Sequence, residues 1–477
     1  MAQSQEFHGR TRIYTNATKV DESNVGAVVK KAMETHEENS ADIDSLWGYY
    51  RGDQAILGRE KTYNTEINNR VVVNRFKQTC DWKSGYFLAN PIQYVDSKSN
   101  GSQPNDDLAT MNRWLAAEGK PTSDMRIELW RSICGTAFRM PSPKGNVQLT
   151  GDGAELPDSA DETDGELEVC ELDPRYTFVV YAAQLGHRPV LGVTYVDMKD
   201  DSGSTVRTFY AYTDSEVYTL SKDYAVVTSE SHGMSQMPIV EYPNDMALMG
   251  DAEPAVPLFD AVNTAQSNRV DGIEQFVQSI LVIKAADMGE GNWMQQLREN
   301  GGLLLPEEGD AKYLSLDMDQ SQEQVLVDSL WDDARQIVGM PVEASGTESD
   351  TGQAAYLKHG WTNAESRAQV SALMFEQSER RFLDLCIDFY NTRGLHLLHG
   401  DVEIRFPRRN YSNDSANVDN FNKLMASGWV DPSDVYDLSH LFPDAYAAFI
   451  RGKAYHDEVE SAEVDEMVNQ EEGEEVG

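Results

Sequence analysis

The chain has 477 residues, with 40 Lys+Arg against 80 Asp+Glu and a formal charge of -40. It is long enough for two or three domains with substantial cores. Its charge repels phosphate over most of the surface, which excludes a conventional nucleic-acid binder but permits a wall along which DNA slides without sticking. The cysteines Cys80, Cys134, Cys170 and Cys386 form no CxxC pair. They therefore imply neither a zinc site nor a disulfide framework, and read as free, mostly buried thiols in a reducing compartment. MAQSQEFHGRTR lacks the apolar stretch of a signal peptide. No window approaches the roughly 18 apolar residues of a membrane span. The expectation is a soluble intracellular product with no membrane partner.

Residues 1–41 are polar and mixed in charge, and read as a flexible arm. From Asp42 the pattern tightens, and Phe76, Cys80, Lys83 and Phe87 recur at steps of three and four, as on one helix face. Asn90-Pro91 ends that helix and Ile92-Gln93-Tyr94-Val95 starts a strand. LATMNRWLAAEG and MRIELWRSICGTAF continue the helical pattern to about Phe138. Between about 145 and 242 the period becomes alternating. FVVYA, VLGVTYVDM, TVRTFYAYT, EVYTL and YAVVTS predict a β-rich section. Its early part, 151–171, holds nine carboxylates and no basic residue. Asp161, Asp164 and Glu166 miss a calcium-loop register, so a solvated acidic loop is expected.

Helical period returns at 252 with Leu258, Val262, Ala265, Ile273, Phe276 and Ile280, interrupted by a polar turn at Gln266-Ser267-Asn268-Arg269. A small αβ piece follows, then a helix at about 320–339 carrying Leu326, Leu330, Trp331, Ala334 and Val338. GMPVEASGTESDTG interrupts it, with Gly339 and Pro341 closing one helix and Ser349 or Asp350 capping the next, Gln353 completing a capping box. The next helix, about 353–392, would run roughly 55–60 Å at ~1.5 Å per residue. VEIRFPRRN reads as a strand ending at proline, followed by short helices and an acidic, disordered tail at 456–477.

Chemistry finds little foothold. Gly346 to Gly352 is one residue too long for a phosphate loop, and Gln353-Ala354 stands where Lys-Ser/Thr is required. HExxH, GxSxG and GxGxxG are absent. Asp328, Asp332 and Asp333 suggest a metal-binding set, but in so acidic a chain they read as a solvated or channel-facing helix surface. Arg405, Arg408 and Arg409 fit pairing with carboxylates of a neighbouring subunit better than contact with nucleic acid. No catalytic, cofactor or metal constellation stands out, so a non-enzyme is expected.

In this order, LWGYYRGDQAIL, NNRVVVNRFKQTCDWKSGYFLANPIQY, MPIVEYPND and GDAEPAVPLFDAVNTAQSNRVDGIEQFVQSILVIKA resemble the portal proteins of tailed bacteriophages with long non-contractile tails, over about 42–455. The resemblance implies an α+β portal fold assembled as a ring. It places the wing at 42–250, stem helices at 251–284 and 319–340, a small αβ clip at 285–318 and a tunnel loop at 341–352. A long wing helix and strand follow at 353–409, then a helical crown at 410–455. The loop facing DNA would be Pro341, Val342, Glu343, Ala344, Ser345, Gly346, Thr347, Glu348, Ser349, Asp350, Thr351 and Gly352. Phe259 and Trp331 would touch the neighbouring stem.

Implied partners are eleven further copies in a homo-dodecameric ring, the terminase large subunit, head-completion or adaptor proteins, the major capsid and scaffolding proteins, and double-stranded DNA passing without tight binding. The protein would sit at the portal vertex of the virion, after assembly in the host cytoplasm. It would nucleate the capsid, dock the packaging motor, join head to tail and let DNA out. Another virion ring, such as a connector or baseplate component, is the alternative; an acidic metal-dependent hydrolase fits less well.

Overall fold

The computed structural model describes residues 7–62, 65–96, 105–144, 167–199, 203, 205–277, 280–284, 310–314, 320–342, 360–407, 414–439, 441–442, 445, 448–457 and 459. The N-terminal residues from Phe7 are built into the fold rather than forming a flexible arm. Strand β1 (Ile13–Thr15) is followed by helix α1 (Val25–Arg51). Val25, Val29, Ala32, Met33, His36, Ile43, Leu46 and Tyr49 form the buried stripe of α1. Apolar residues at helical spacing lie between many charged ones, and average composition hides such a stripe. Arg10 seals the arm through a buried ion pair with Glu253.

The first half of α1 covers a six-stranded sheet. Strands β5 (Thr177–Ala182), β6 (Pro189–Lys199), β7 (Thr205–Tyr212), β8 (Glu216–Leu220) and β9 (Val226–Ser231) run as an antiparallel meander, with β1 added parallel to β5. Val180, Leu191, Val193, Phe209, Ala211 and Leu220 meet the helix from alternate strand positions.

The second half of α1 joins helices α2 (Arg75–Phe87), α3 (Asp106–Ala117) and α4 (Lys120–Cys134) near a second sheet. That sheet has the order β10-β3-β4, with β3 at Thr136–Pro143, β4 at Leu167–Leu172 and β10 at Val240–Pro243. Two expectations are corrected here. Helix α4 stops at Cys134 rather than near Phe138, because Gly135 adopts φ 81° and turns the chain into β3. A Cβ at Gly135 would collide with the Leu248 carbonyl. The acidic loop also ends before Leu167, where the chain pairs with β3 and buries Leu167 completely. Glu168 is exposed on the face opposite Leu167, and Glu171, half-buried on the same face as Leu167, pairs with Arg126 at 3.2 Å.

Helix α5 (Val256–Val277) and helix α6 (Gln320–Val338) pack side by side. Between them β11 (Ile280–Lys284) pairs antiparallel with β12 (Asp310–Leu314). The first helix of this pair was expected to reach residue 284. It gives way to a strand at ILVIK, where β-branched residues favour extended backbone.

Helix α7 (Trp361–Asn391) is 31 residues, about 46 Å at ~1.5 Å per residue, and is shorter than expected at its described start. Phe375, Phe382, Leu383, Cys386, Ile387 and Tyr390 bury it against α2, β3 and β10. Strand β2 (Gln93–Asp96) pairs with β13 (Val402–Arg405). Helices α8 (Asp414–Ser427) and α9 (Pro432–Ser439) follow, with a helical segment at 448–457. They gather around Phe421, Tyr436, Phe442 and Phe449, with the Tyr436 and Phe442 rings stacked at 5.0 Å. Of the cysteines, Cys80, Cys134 and Cys386 are buried, Cys170 is half-buried, and all four are free.

Candidate functional site

The α5–α6 pair and the base of the loop after α6 form the candidate site. The buried side of α5 is unusually polar: Asn263 and Ser267 are fully buried and Asp271 nearly so. These residues stand four apart, a helical rise of ~6 Å. Two residues of extended chain advance ~6.6 Å. An extended strap at 69–73 runs antiparallel to the helix and uses this match. The Asn69 amide donates to Asp271 Oδ1 at 2.8 Å, Val71 to Ser267 Oγ at 2.9 Å and Val73 to Asn263 Oδ1 at 2.8 Å. Gln266-Ser267-Asn268-Arg269 is therefore not a turn. The helix is continuous there and its polar residues hold the strap.

Arg59 reaches Asp271 at 3.1 Å and Lys61 pairs with it too. Burial works to raise the Asp271 carboxyl, but Lys61 and the Asn69 amide and side chain outweigh it and hold it below its ordinary value.

Phe259 and Trp331 join the two helices within one subunit. Phe259 is fully buried, edge-on to Phe76 at 6.4 Å, with the Trp331 ring at 6.3 Å. It has no surface left for a neighbour, which corrects the expected inter-subunit role. An aromatic one helical turn from a buried stripe reads the same in sequence whether its own core or another chain covers it. Trp331 is half-buried, with the Arg75 guanidinium 4.3 Å over its ring.

The end of α6 is firmly closed. Gly339 adopts φ 74°, its amide donates to the Gln336 carbonyl at 3.2 Å, and Met340 donates to Arg335 at 2.8 Å, the paired bonds of a Schellman cap. Two cations take further terminal carbonyls: Arg367 donates to Ile337 at 2.9 Å and Lys83 to Val338 at 3.2 Å. Both also oppose the negative end of the helix dipole. Pro341 and Val342 leave this cap half-buried. The remaining loop positions, Glu343 to Gly352, and the proposed cap at Ser349, Asp350 and Gln353 lie outside the described residues.

Asp328 accepts a hydrogen bond from Gln324 at 2.7 Å and Asp332 pairs with Arg335. Among the described residues no group of three or more His, Cys, Asp and Glu is placed to hold a metal ion. Arg405 pairs with Glu403 of its own strand at 3.2 Å, while Arg408 and Arg409 lie outside the described residues.

Sequence reading missed the charged centre behind this site. Arg139, Asp124, Lys120 and Glu379 are all buried, two cations against two carboxylates. Arg139 meets Asp124 at 2.5 Å and also pairs with Glu379; Lys120 lies 2.6 Å from Asp124 and 3.0 Å from Glu379. The Tyr94 and Tyr242 hydroxyls donate to Glu379 at 2.6 and 2.8 Å. Burial would raise the Glu379 carboxyl, but Arg139, Lys120 and the Tyr94 hydroxyl prevail and hold it at about 2. The cluster ties α4, β2, β3, β10 and α7 together. Two signals were present in the sequence: an arginine between Phe138 and Met140 in a buried strand, and Glu379 in register with Phe375 and Phe382 on α7.

The family model described as "Phage portal protein, SPP1 Gp6-like" matches residues 30–434. Among solved structures, one similar chain comes from the neck of an empty gene transfer agent (GTA) particle computed with C6 symmetry. Its identity is 13% and its TM-score 0.43, and the match covers 77% of this chain and 90% of that one. Another comes from the virion of a native gene transfer agent particle, at 14% identity and TM-score 0.42, covering 84% of this chain and 94% of that one. No curated protein sequence matches the chain.

Proposed function

The chain belongs to the phage portal protein family, SPP1 Gp6-like, and we propose that it forms a ring-shaped DNA channel, a homo-dodecamer at one vertex of the capsid. The observation that carries this reading is the reach of the family match. At 30–434 it takes in five of the six strands of the large sheet, the α5–α6 pair, α7 and α8.

In the proposed arrangement α5 and α6 are the stem and the β11–β12 pair belongs to the clip. Residues 341–352 are the tunnel loop, α7 crosses the wing, and α8, α9 and the 448–457 helix make the crown. The clip would dock the terminase large subunit during packaging and head-completion or adaptor proteins afterwards. The ring would nucleate capsid assembly with the major capsid and scaffolding proteins, and later release DNA on infection. Its role is structural, with no cofactor, and the packaging force comes from the separate terminase.

Physical features support the reading. A charge of -40 suits a channel wall, because each phosphate contact would add affinity and drag. Stem subunits in a ring meet through unlike faces. Val325 and Leu326 on α6 and Val370 and Leu373 on α7 are exposed in the single chain and available for such contacts, as is the open part of Trp331. The Schellman cap with its two cations gives Pro341 and Val342 a fixed base at the end of the stem helix. Deleting 343–351 is expected to leave rings intact while DNA packaging or retention falls. Loss of ring assembly in that deletion would count against a channel role for the loop.

A further inference from the structure

His399 lies on the short 3-10 turn His399–Asp401, immediately before β13. Its imidazole sits between two carboxylates one turn apart on α7. Nδ1 is 2.9 Å from Asp384 Oδ1 and Nε2 is 2.9 Å from Asp388 Oδ1. The other Asp388 oxygen accepts the Ser235 hydroxyl at 2.6 Å. One turn earlier on α7, Arg380 donates to the Val402 carbonyl at 2.7 Å and reaches the His399 carbonyl at 3.5 Å. Arg380, Asp384 and Asp388 thus form one stripe facing the connection from α7 to β13.

A neutral imidazole has one N–H donor and one lone pair. With carboxylate oxygens at hydrogen-bond distance from both nitrogens, the neutral ring would set a lone pair against a carboxylate. Only the imidazolium satisfies both contacts, and both are then charge-assisted. Aligned carboxylates also place two negative charges beside the ring when no proton is present. The ring is about half exposed, its side chain 48% accessible, so protons exchange with solvent without local unfolding.

We propose that His399 is a proton-operated clasp, which as imidazolium bridges Asp384 and Asp388 and pins the α7–β13 connection to the helix, and as neutral imidazole releases one of the two. The hydrogen bond to Asp384 raises its pKa above the ordinary 6.5, partial burial opposes this, and the charges of both carboxylates add to the rise. Because the folded value is raised, the clasp is complete below pH 6.5 and is lost as pH rises through the folded value. Residues 395–402 then keep Arg380 as their anchor on α7 while the histidine bridge opens. The last strand before α8 hangs from this connection, so release loosens the point from which the C-terminal helices leave α7. This inference does not depend on the portal reading.

Histidine C2 hydrogen–deuterium exchange followed by mass spectrometry on the full chain gives the His399 midpoint, even in a large assembly. The expected midpoint lies above 6.5 in the native protein and falls in both Asp384→Asn and Asp388→Asn. Backbone amide exchange of 395–402, corrected for its intrinsic pH dependence, is expected to show more opening as pH rises through that midpoint. The double variant Asp384→Asn/Asp388→Asn should lose that pH dependence. A midpoint at or below 6.5, a midpoint unmoved by either asparagine, or opening of 395–402 that is flat across the midpoint would each overturn the proposal.

Discussion

Replacing Glu379 with glutamine removes one charge from the buried cluster and leaves every neighbour in place. Glu379 accepts from Tyr94 and Lys120 on one oxygen and from Tyr242 and Arg139 on the other. Glutamine keeps a single carbonyl acceptor and must turn its NH2 towards one of the cations. The buried set goes from neutral to a net positive charge. Arg139, Lys120 and the Tyr94 hydroxyl hold Glu379 below its ordinary value, while burial holds Asp124 of the same set above its own. The scale of the loss is that of leaving a buried ion unpaired, about 3–5 kcal/mol.

Urea unfolding followed by tryptophan fluorescence at pH 7 is therefore expected to show Glu379→Gln destabilised by about 3–5 kcal/mol. A lowered carboxyl contributes stability that is full above the unfolded value of 4.5 and disappears as pH falls through the folded value. The gap between native protein and variant should accordingly shrink as pH drops from 4.5 towards 2. A loss under about 1 kcal/mol, the scale of an exposed pair, or a gap that stays constant with falling pH, would refute the argument that these charges interact as a buried set.

Two further substitutions test the local geometry. Gly135→Ala adds a Cβ at a left-handed residue, against the Leu248 carbonyl. It should cost more than the ~1–2 kcal/mol of left-handed strain alone, visible as a lower melting temperature; a change of under about 1 kcal/mol would contradict the described turn. Ser267→Ala strips the acceptor from the Val71 amide. It should destabilise the strap by ~1–3 kcal/mol, with faster amide exchange at 69–73. Unchanged exchange there would mean the strap is held by something else.

Much of the fold was legible because its periods are simple. FVVYA, VLGVTYVDM, TVRTFYAYT and EVYTL are rich in β-branched and aromatic residues between turn residues and became β5 to β8. The buried face of α7 followed its 3.6-residue stripe, and Gly339 marked the end of α6 as expected; on α6 Ala334 and Val338 are buried as read, but Leu326 is exposed and Val327 takes the buried position. Three of the failures share a cause: each concerns a residue whose partner is distant in sequence. Ser267 looked like a turn former until an amide 196 residues away was laid against it. The N-terminal arm looked loose because Arg10 and Gly9 are fixed by Glu253. Phe259 looked available to a neighbour because nothing local shows that Phe76 and Trp331 enclose it. Periodicity reports one face of one element; what covers that face is a property of the assembled chain.

The family resemblance read from LWGYYRGDQAIL through the stem segments agrees with the match over 30–434. Glu343 to Gly352, proposed as the tunnel loop, lie outside the described residues.

Electron microscopy of the purified full-length protein tests the central claim most directly. A portal predicts closed rings of about twelve copies around a hole wide enough for a DNA duplex, about 20 Å. Both the α5–α6 pair and the loop at 341–352 should line that hole. Monomers, or rings whose hole is lined by the six-stranded sheet instead, would contradict the account.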